Sequence, residues 1–498
     1  MEFVRNFPLF TIVLSLFSGV LCYMLKPKAA KIYTLIYEGV LIVFVSSVLL
    51  YVVKTGTSFT YVMGEFPAPW GNEIRAGILE ALIALTFLIV EICSVSAGHR
   101  FLVEDMDESK QNLFYTLVNL MTAALMALVW TNDLFTGYVF LEILTLTSCG
   151  VLIVREIGRT TLAAVRYMIL NLLGSGLFLL GVVLLYDITG HLLMVPMQGA
   201  IAQLAADPNV LPVIGVAVGI LTIGLCIKSG LFPFYFWMPD TYGWATPTAA
   251  ALLSSLVSKA YIFLLFKTYY RAIGIEVLDM LPIKNILLVL GICGMIAGSV
   301  EAIHTNNLNH MVAYSSAAQI GYIYMGIGLG GMAGFTAAMF HIIAHALTKS
   351  QLFLTTPRLA EAGGGTLKFK DLQGVGLKTK VAGVYFTFGA LSMIGIPIFA
   401  GFSSKLQFAL AAVAGGSGKK VILVMMGLAI SSMLNALYFI MTMIRIFTPD
   451  GKPGKSEMMH HHINYHLPML VLTAGNLLLG LNSGFVVELI NKGLEMFR

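Results

Sequence analysis

Residues 211–268 read LPVIGVAVGILTIGLCIKSGLFPFYFWMPDTYGWATPTAAALLSSLVSKAYIFLLFKT. Two apolar runs, 211–232 and 246–268, are each long enough to cross a bilayer, which takes about 20 mostly apolar residues. Each run encloses one lysine, Lys228 and Lys259, and the first breaks at Gly230-Leu231-Phe232-Pro233. A charge at mid-membrane costs roughly 2.5–3.5 kcal/mol on insertion scales. A broken helix frees backbone groups that only protein or water can satisfy at that depth. A hairpin that carries both features reads as part of a helical membrane protein with a polar interior.

Composition agrees. Of 498 residues, 58% are hydrophobic and 11% charged, against about 25% charged in soluble domains; the mean hydropathy is +0.87. This excludes a soluble enzyme and a disordered chain. The net charge of +5, from 30 basic and 25 acidic residues, is too small and scattered for a nucleic-acid surface. Cys22, Cys93, Cys149, Cys226 and Cys293 lie in apolar runs without a CxxC pair, as buried small residues do. Residues 8–25 precede Lys26-Pro27-Lys28 without a small-residue cleavage site, so they read as a retained span rather than a signal peptide.

Walking outward gives fourteen expected spans: 8–25, 33–53, 76–97, 112–130, 132–154, 164–187, 211–232, 246–268, 284–303, 308–328, 332–354, 380–400 continuing brokenly to 414, 420–446 and 466–490. The expected fold is an all-α polytopic membrane protein with two inverted five-helix repeats, each containing a broken helix. Residues 1–110 hold the first three spans. Residues 111–271 and 272–446 are the two repeats, and 447–498 form a loop and a last span. The repeats are inferred from two breaks, one at Pro233 after Lys228 and one at Pro397 before Lys405, in corresponding places of two halves. Sixteen basic residues fall in the loops of one side and ten on the side of the termini. The positive-inside rule puts both termini on the outer face.

Five charges within the spans set the functional reading: Glu142, Lys228, Lys259, Lys349 and Lys405. Snorkelling to an interface is the alternative, with most weight for Lys349 and Lys405, which lie nearer a span end or break. His341, His345 and Lys349 recur every four residues, so they form one stripe on a helix. Imidazoles titrate near neutral pH, and such a stripe suits a proton relay; buried hydrogen-bonded histidines are the plainer alternative. A zinc motif would need a general-base glutamate and a third ligand. Glu80 and Glu91, eleven residues apart, share a helix face and read as either paired acids or a separate ion path. Ser254, Ser255, Ser258, Ser403 and Ser404 are candidate water holders. His460-His461-His462 reads as a solvated loop.

At these residues the chain resembles a known superfamily. TNDLFTGYVFLE (131–142), RYMILNLLGSGLFLL (166–180), the KSGLFP…LVSK stretch (228–259), AYSSAAQIGY (313–322) and GIPIFAGFSSK (395–405) resemble the proton-translocating antiporter-like subunits. These occur in respiratory complex I, in Mrp-type sodium/proton antiporters and in membrane-bound energy-converting hydrogenases. The WATPTAAALLSSLVSK form resembles the Mrp D-type and hydrogenase-associated branch, and no long C-terminal extension suggests the A-type or distal complex I subunits. The resemblance implies that Glu142 is the family's fifth-span glutamate, Lys228 the lysine of the broken seventh span and Lys259 the central lysine of the eighth. It places His341 and His345 among eleventh-span histidines and makes Lys405 the exit residue of the broken twelfth. Asn309-His310 departs from the basic residues common in relatives, and Glu80 and Glu91 lie outside the pattern.

The implied activity is proton movement along a buried Glu/Lys/His chain, with other membrane subunits as partners and Na+ as a possible ion of the whole complex. The chain is expected to carry no cofactor or metal, since its glycine runs GGMAG and AGGGT lack the strand–turn–helix context of a phosphate loop. It is therefore not expected to be an enzyme by itself, and a plasma membrane of a prokaryote is the expected location. An independent secondary solute transporter is the alternative, and a structural or quinone-site subunit is a third reading.

Overall fold

The computed structural model describes residues 2–66, 71–415, 418–449 and 463–497; His460-His461-His462 lie outside them. Among the described residues the helices are joined by loops and one two-stranded antiparallel ribbon, β1 (Phe59–Val62) with β2 (Glu73–Ala76), which pairs Phe59 with Ala76 and Val62 with Glu73. Helices α1 (Phe7–Met24) and α2 (Pro27–Thr55) precede the ribbon, and α3 (Ile78–Asp105) and α4 (Glu108–Trp130) follow it. Then come α5 (Leu134–Ile153), α6 (Gly158–Thr189), a short α7 (Met194–Leu204) and α8 (Leu211–Ser229). A short α9 (Met238–Trp244) leads into α10 (Pro247–Ile273). The second half comprises α11 (Ile283–His304), α12 (Leu308–Leu329), α13 (Gly331–Ala362), α14 (Lys380–Ile394), α15 (Ala400–Gly415) and α16 (Gly418–Phe447). The chain closes with α17 (Ile463–Leu481) and α18 (Ser483–Glu495).

Among the described residues, eleven helices are long and apolar enough to cross a membrane, and α17 with α18, bent by 83°, is a twelfth candidate. These eleven coincide with eleven of the fourteen expected spans. The other three depart for identifiable reasons. α12 carries Asn309, Ser315, Ser316, Gln319 and three tyrosines, polar groups it can bury because it is enclosed by neighbours. The 380–414 region is two short helices, α14 and α15, parted at Gly395. The last expected span is the bent pair.

Helix exposure follows position in the bundle. The outward faces of α2, α6 and α16 show Leu, Ile, Val and Met, as a lipid-facing surface does, while α10 is buried throughout its length. α10 is also irregular, with π-helical turns at Leu253–Val257 and Thr268–Ile273; such wide turns commonly mark functional positions. The helix persists through Thr268-Tyr269-Tyr270-Arg271. Lys267, at the end of the expected span 246–268, and Arg271, just beyond it, count from sequence among the ten cations on the side of the termini but are 0% and 1% exposed.

Candidate functional site

Besides Lys267, three lysines are wholly buried among the described residues: Lys228, Lys259 and Lys349. Lys228 lies one residue before the end of α8, whose last turn is closed by Gly230 at φ +76°. Its Nζ donates to Thr145 Oγ1 (2.7 Å), Ser175 Oγ (2.6 Å) and the Asn171 carbonyl (3.2 Å), and it lies over the Tyr261 ring, 5.0 Å from the centroid. Three N–H groups thus meet three acceptors, which is the full capacity of an ammonium. Gly174 makes room for the lysine stem: a Cβ there would sit 2.8 Å from Lys228 Cγ and 2.8 Å from the Gly224 carbonyl oxygen.

Lys259 Nζ donates to the Ser254 carbonyl and to Ser258 Oγ (3.2 Å), both within the π-helical part of α10 or next to it. Ser254 Oγ shares a hydrogen bond with Ser316 of α12 at 2.9 Å. One residue away, Ser315 accepts from Lys349 of α13, which also donates to the Val312 carbonyl at 2.8 Å. Lys349 is 0% exposed, so the snorkelling alternative fails for it.

His341 and His345 stack with ring centroids 5.8 Å apart and planes 10° from parallel, as their spacing predicts. His341 Nδ1 shares a hydrogen bond with Ser404 Oγ (2.7 Å). The other His341 nitrogen and both of His345 have no protein partner. They border a cavity of about 10 Å³ lined also by Gln319, Ser392 and Lys405, close to the size that holds a single water. Lys405 is partly buried on α15, but its Nζ reaches back to the Ile394 carbonyl at the end of α14 (2.7 Å) and to Ser432 Oγ (3.0 Å). An ammonium at the C-terminal end of a helix is favoured by the helix dipole. Lys228 and Lys405 stand on opposite sides of their respective breaks in sequence: Lys228 sits in the last turn of the half-helix before its break, and Lys405 reaches back to the end of the half-helix before its own.

Glu142 is only partly buried on α5. It makes no ion pair with Lys228; Thr145, one turn further along the same helix, makes the contact instead. Among the described residues none of Lys228, Lys259, Lys349 or Lys405 has a carboxylate within ion-pair distance. Of the serines marked from sequence, Ser254, Ser258 and Ser404 join the row, Ser403 instead donates to the Gly480 carbonyl (3.0 Å), and Ser255 Oγ has no partner. The hydroxyl partners missed from sequence are Thr145, Ser175, Ser315, Ser316 and Ser432, since a lone hydroxyl in a span carries no pattern.

Glu80 and Glu91 do not meet. Glu80 forms a buried ion pair with Arg271, whose guanidinium lies 3.7 Å from the Phe497 ring centroid. Lys267 donates to the Val129 carbonyl (2.9 Å) and to that of Thr131, holding the end of α4. Glu91 accepts from Thr122 Oγ1 at 2.6 Å, within the N-terminal helices.

A model of the NADH:quinone oxidoreductase/Mrp antiporter transmembrane family matches residues 131–434, a range that holds every residue of the lysine row. The N-type subunit of the NADH-quinone oxidoreductase of Desulforudis audaxviator is 33% identical over 396 residues, 77% of this chain and 74% of the relative. The D-type subunit of the Na(+)/H(+) antiporter of Bacillus subtilis is 26% identical over 499 residues, 99% of this chain and 97% of the relative. Among solved structures, a chain of the membrane-bound sulfane sulfur reductase, an archaeal respiratory membrane complex, superposes with a TM-score of 0.87 at 23% identity, covering 98% of this chain and 97% of that one. A chain of the Mrp complex from Dietzia sp. gives 0.84 at 21%, covering 99% and 97%. Both likenesses show a shared fold.

Proposed function

This chain belongs to the NADH:quinone oxidoreductase/Mrp antiporter transmembrane family, and on that premise we propose that it is a proton-translocating, antiporter-like subunit of a multisubunit membrane complex. The observation that carries this reading is the row of amines at Lys228, Lys259 and Lys349, each 0% exposed and each held only by hydroxyls and carbonyls. Burial opposes the charged amine and neutral acceptors favour it, so such a group can exist in either state. A scaffold has no need of it, because each buried charge costs insertion energy.

In this reading a proton on Lys228 is controlled through α5. Glu142 and Thr145 are neighbours on one helix face, so a partner subunit that moves Glu142 also moves a hydroxyl bonded to Lys228. The proton passes from Lys228 to Lys259, and from there through the His341/His345 stripe, beside Lys349, to Lys405. The water-sized cavity between His345 and Lys405 is the last link. The fuller architecture is fourteen spans in the domains 1–110, 111–271, 272–446 and 447–498. Helices α4–α10 and α11–α16 are then inverted repeats, with their breaks at Pro233 and Pro397. Of the two acids left outside the row, Glu80 is assigned to the structural pair with Arg271. The membrane proposed is the plasma membrane of a prokaryote, and positive-inside asymmetry supports both termini outside; burial of Lys267 and Arg271 lowers the count on the side of the termini and strengthens the bias.

Purification from native membranes in mild detergent, with mass spectrometry of the co-purifying chains, tests the assignment. Small antiporter-type subunits would identify a gradient-driven antiporter like the relative in B. subtilis. Iron–sulfur dehydrogenase- or hydrogenase-type subunits would identify the pumping arm of a redox complex. A chain recovered alone and active in vesicles would refute the subunit reading in favour of an independent transporter.

A further inference from the structure

The lysine row leaves one buried polar region unused. Helices α1–α4 enclose Glu38 of α2 and Glu91 of α3, both 0% exposed. Both carboxylate oxygens of Glu38 and Oε2 of Glu91 have no hydrogen-bond partner, and neither does Oδ1 of Asn119 on α4. A chain of contacts and one-turn helix neighbours links the two acids. Glu91 accepts from Thr122; Asn119, one turn before Thr122, donates to Cys22 Sγ at 3.1 Å and to Ser18 Oγ at 2.8 Å. Cys22 contacts Thr34 Oγ1 at 3.5 Å, and Thr34 lies one turn before Glu38 on α2. A charge on either acid acts on the other. Neither makes an ion pair among the described residues.

A second file of groups leads outward. Tyr115, Asn119 and Thr122 share a face of α4 at intervals of four and three residues. Tyr115, 1% exposed, shares a hydrogen bond with His99 Nδ1 at 2.8 Å. His99 lies at the wall of a cavity of about 290 Å³, whose other polar lining includes Arg100, Glu104, Arg358 and Asn464. Polar groups therefore run from an open cavity on the α3 side to two enclosed acids.

We propose that Glu38 and Glu91 form a binding site for one small monovalent cation, taken up in exchange for a proton and reached from the His99 cavity. Four buried oxygens on the neighbouring helices α2, α3 and α4 are acceptors without donors, and what satisfies them is a proton or a cation. The ligands are all hard oxygens, which suits an alkali ion, whereas a divalent ion takes six or more oxygens, several of them from carboxylates or water. Charge sets the stoichiometry. Neither acid has a basic partner among the described residues, so the proposed cycle starts with both protonated. An entering Na+ displaces one proton from one carboxyl, leaving a carboxylate–Na+ pair beside a neutral acid, and the released proton leaves towards His99. The enclosure is neutral before and after. The other titratable groups facing it are Cys22 of α1, Tyr37 of α2, Cys93 of α3 and Tyr115 of α4, with Lys31 and His99 at the mouth. This site is separate from the lysine row and extends the proposed function.

The test is infrared difference spectroscopy on the purified complex, Na+ against choline at constant pH, with proton release followed in weak buffer. Wild type and Lys228→Ala should both lose a protonated-carboxyl band on Na+ addition and release one proton for each Na+ bound. Glu38→Gln and Glu91→Gln should lose the response in assembled complex. Thr122→Val, a milder change, should weaken apparent Na+ affinity about tenfold through loss of one hydroxyl contact. A Na+ response that survives in both glutamine variants, or its absence from wild type, overturns the proposal. Loss of the response in Lys228→Ala alone would place the cation in the lysine row and overturn it equally.

Discussion

Replacing Thr145 by valine tests how Lys228 is held. Its Nζ has three acceptors, at 2.7, 2.6 and 3.2 Å, and Thr145 supplies one of the two short ones. Valine keeps the volume but offers no acceptor, so one N–H of a buried ammonium is left unpaired. A hydrogen bond to a charged group contributes about 1.5–3 kcal/mol, which is roughly a 10- to 150-fold weaker hold on the proton. Thr145 also donates to the Leu141 carbonyl and contacts Tyr261 at 3.3 Å, so the change loosens the aromatic wall beside Lys228. In proteoliposomes of the purified complex, followed with a pH-sensitive dye, the initial rate of proton uptake should fall about tenfold or more. Thr145→Ser keeps the hydroxyl and should transport at nearly the wild-type rate. A Thr145→Val complex that assembles and pumps at the wild-type rate would refute the idea that this hydroxyl controls the charge on Lys228.

Other changes have equally definite outcomes. Gly174→Ala puts a methyl 2.8 Å from a backbone carbonyl that cannot yield and 2.8 Å from the Lys228 stem; it should cost about 1–3 kcal/mol, visible as a lower melting temperature of the complex. Glu80→Gln strands a buried Arg271 and should destabilise by about 3–5 kcal/mol, while Glu80→Gln with Arg271→Gln should recover part of that loss in a double-mutant cycle. Asp133→Ala removes the side chain that caps α5 through the Thr136 N–H and should cost about 0.5–2 kcal/mol in thermal unfolding, with Asp133→Asn losing much less.

Much of this organisation was legible in the sequence because membrane insertion imposes a coarse and demanding code. Eleven apolar runs became eleven span-length helices, and the breaks at Gly230 and Gly395 were visible as glycine–proline clusters. Lone lysines in apolar runs stood out for the same reason. The misreadings have a common origin: sequence shows polarity but not what encloses it. Lys267 and Arg271 fall at the end of an apolar run, where cations are counted as facing water, whereas α10 is wrapped on all sides and carries them inside. α12 fell short of the hydropathy of a lipid-facing helix because its polar side chains face other helices. Glu38 was not singled out from the sequence, and only the packing of α1, α3 and α4 shows that both its oxygens are buried. The hydroxyls that hold Lys228 come from α5 and α6, some 50 to 80 residues away, and no local pattern announces that convergence.

The decisive measurement is proton uptake by the reconstituted complex carrying Lys228→Ala, with subunit composition checked on the same preparation. Removal of the amine takes the first station out of the row, so uptake should fall to the level of protein-free vesicles while every partner subunit remains bound. Wild-type uptake in an intact Lys228→Ala complex would mean that protons do not travel along the buried lysines.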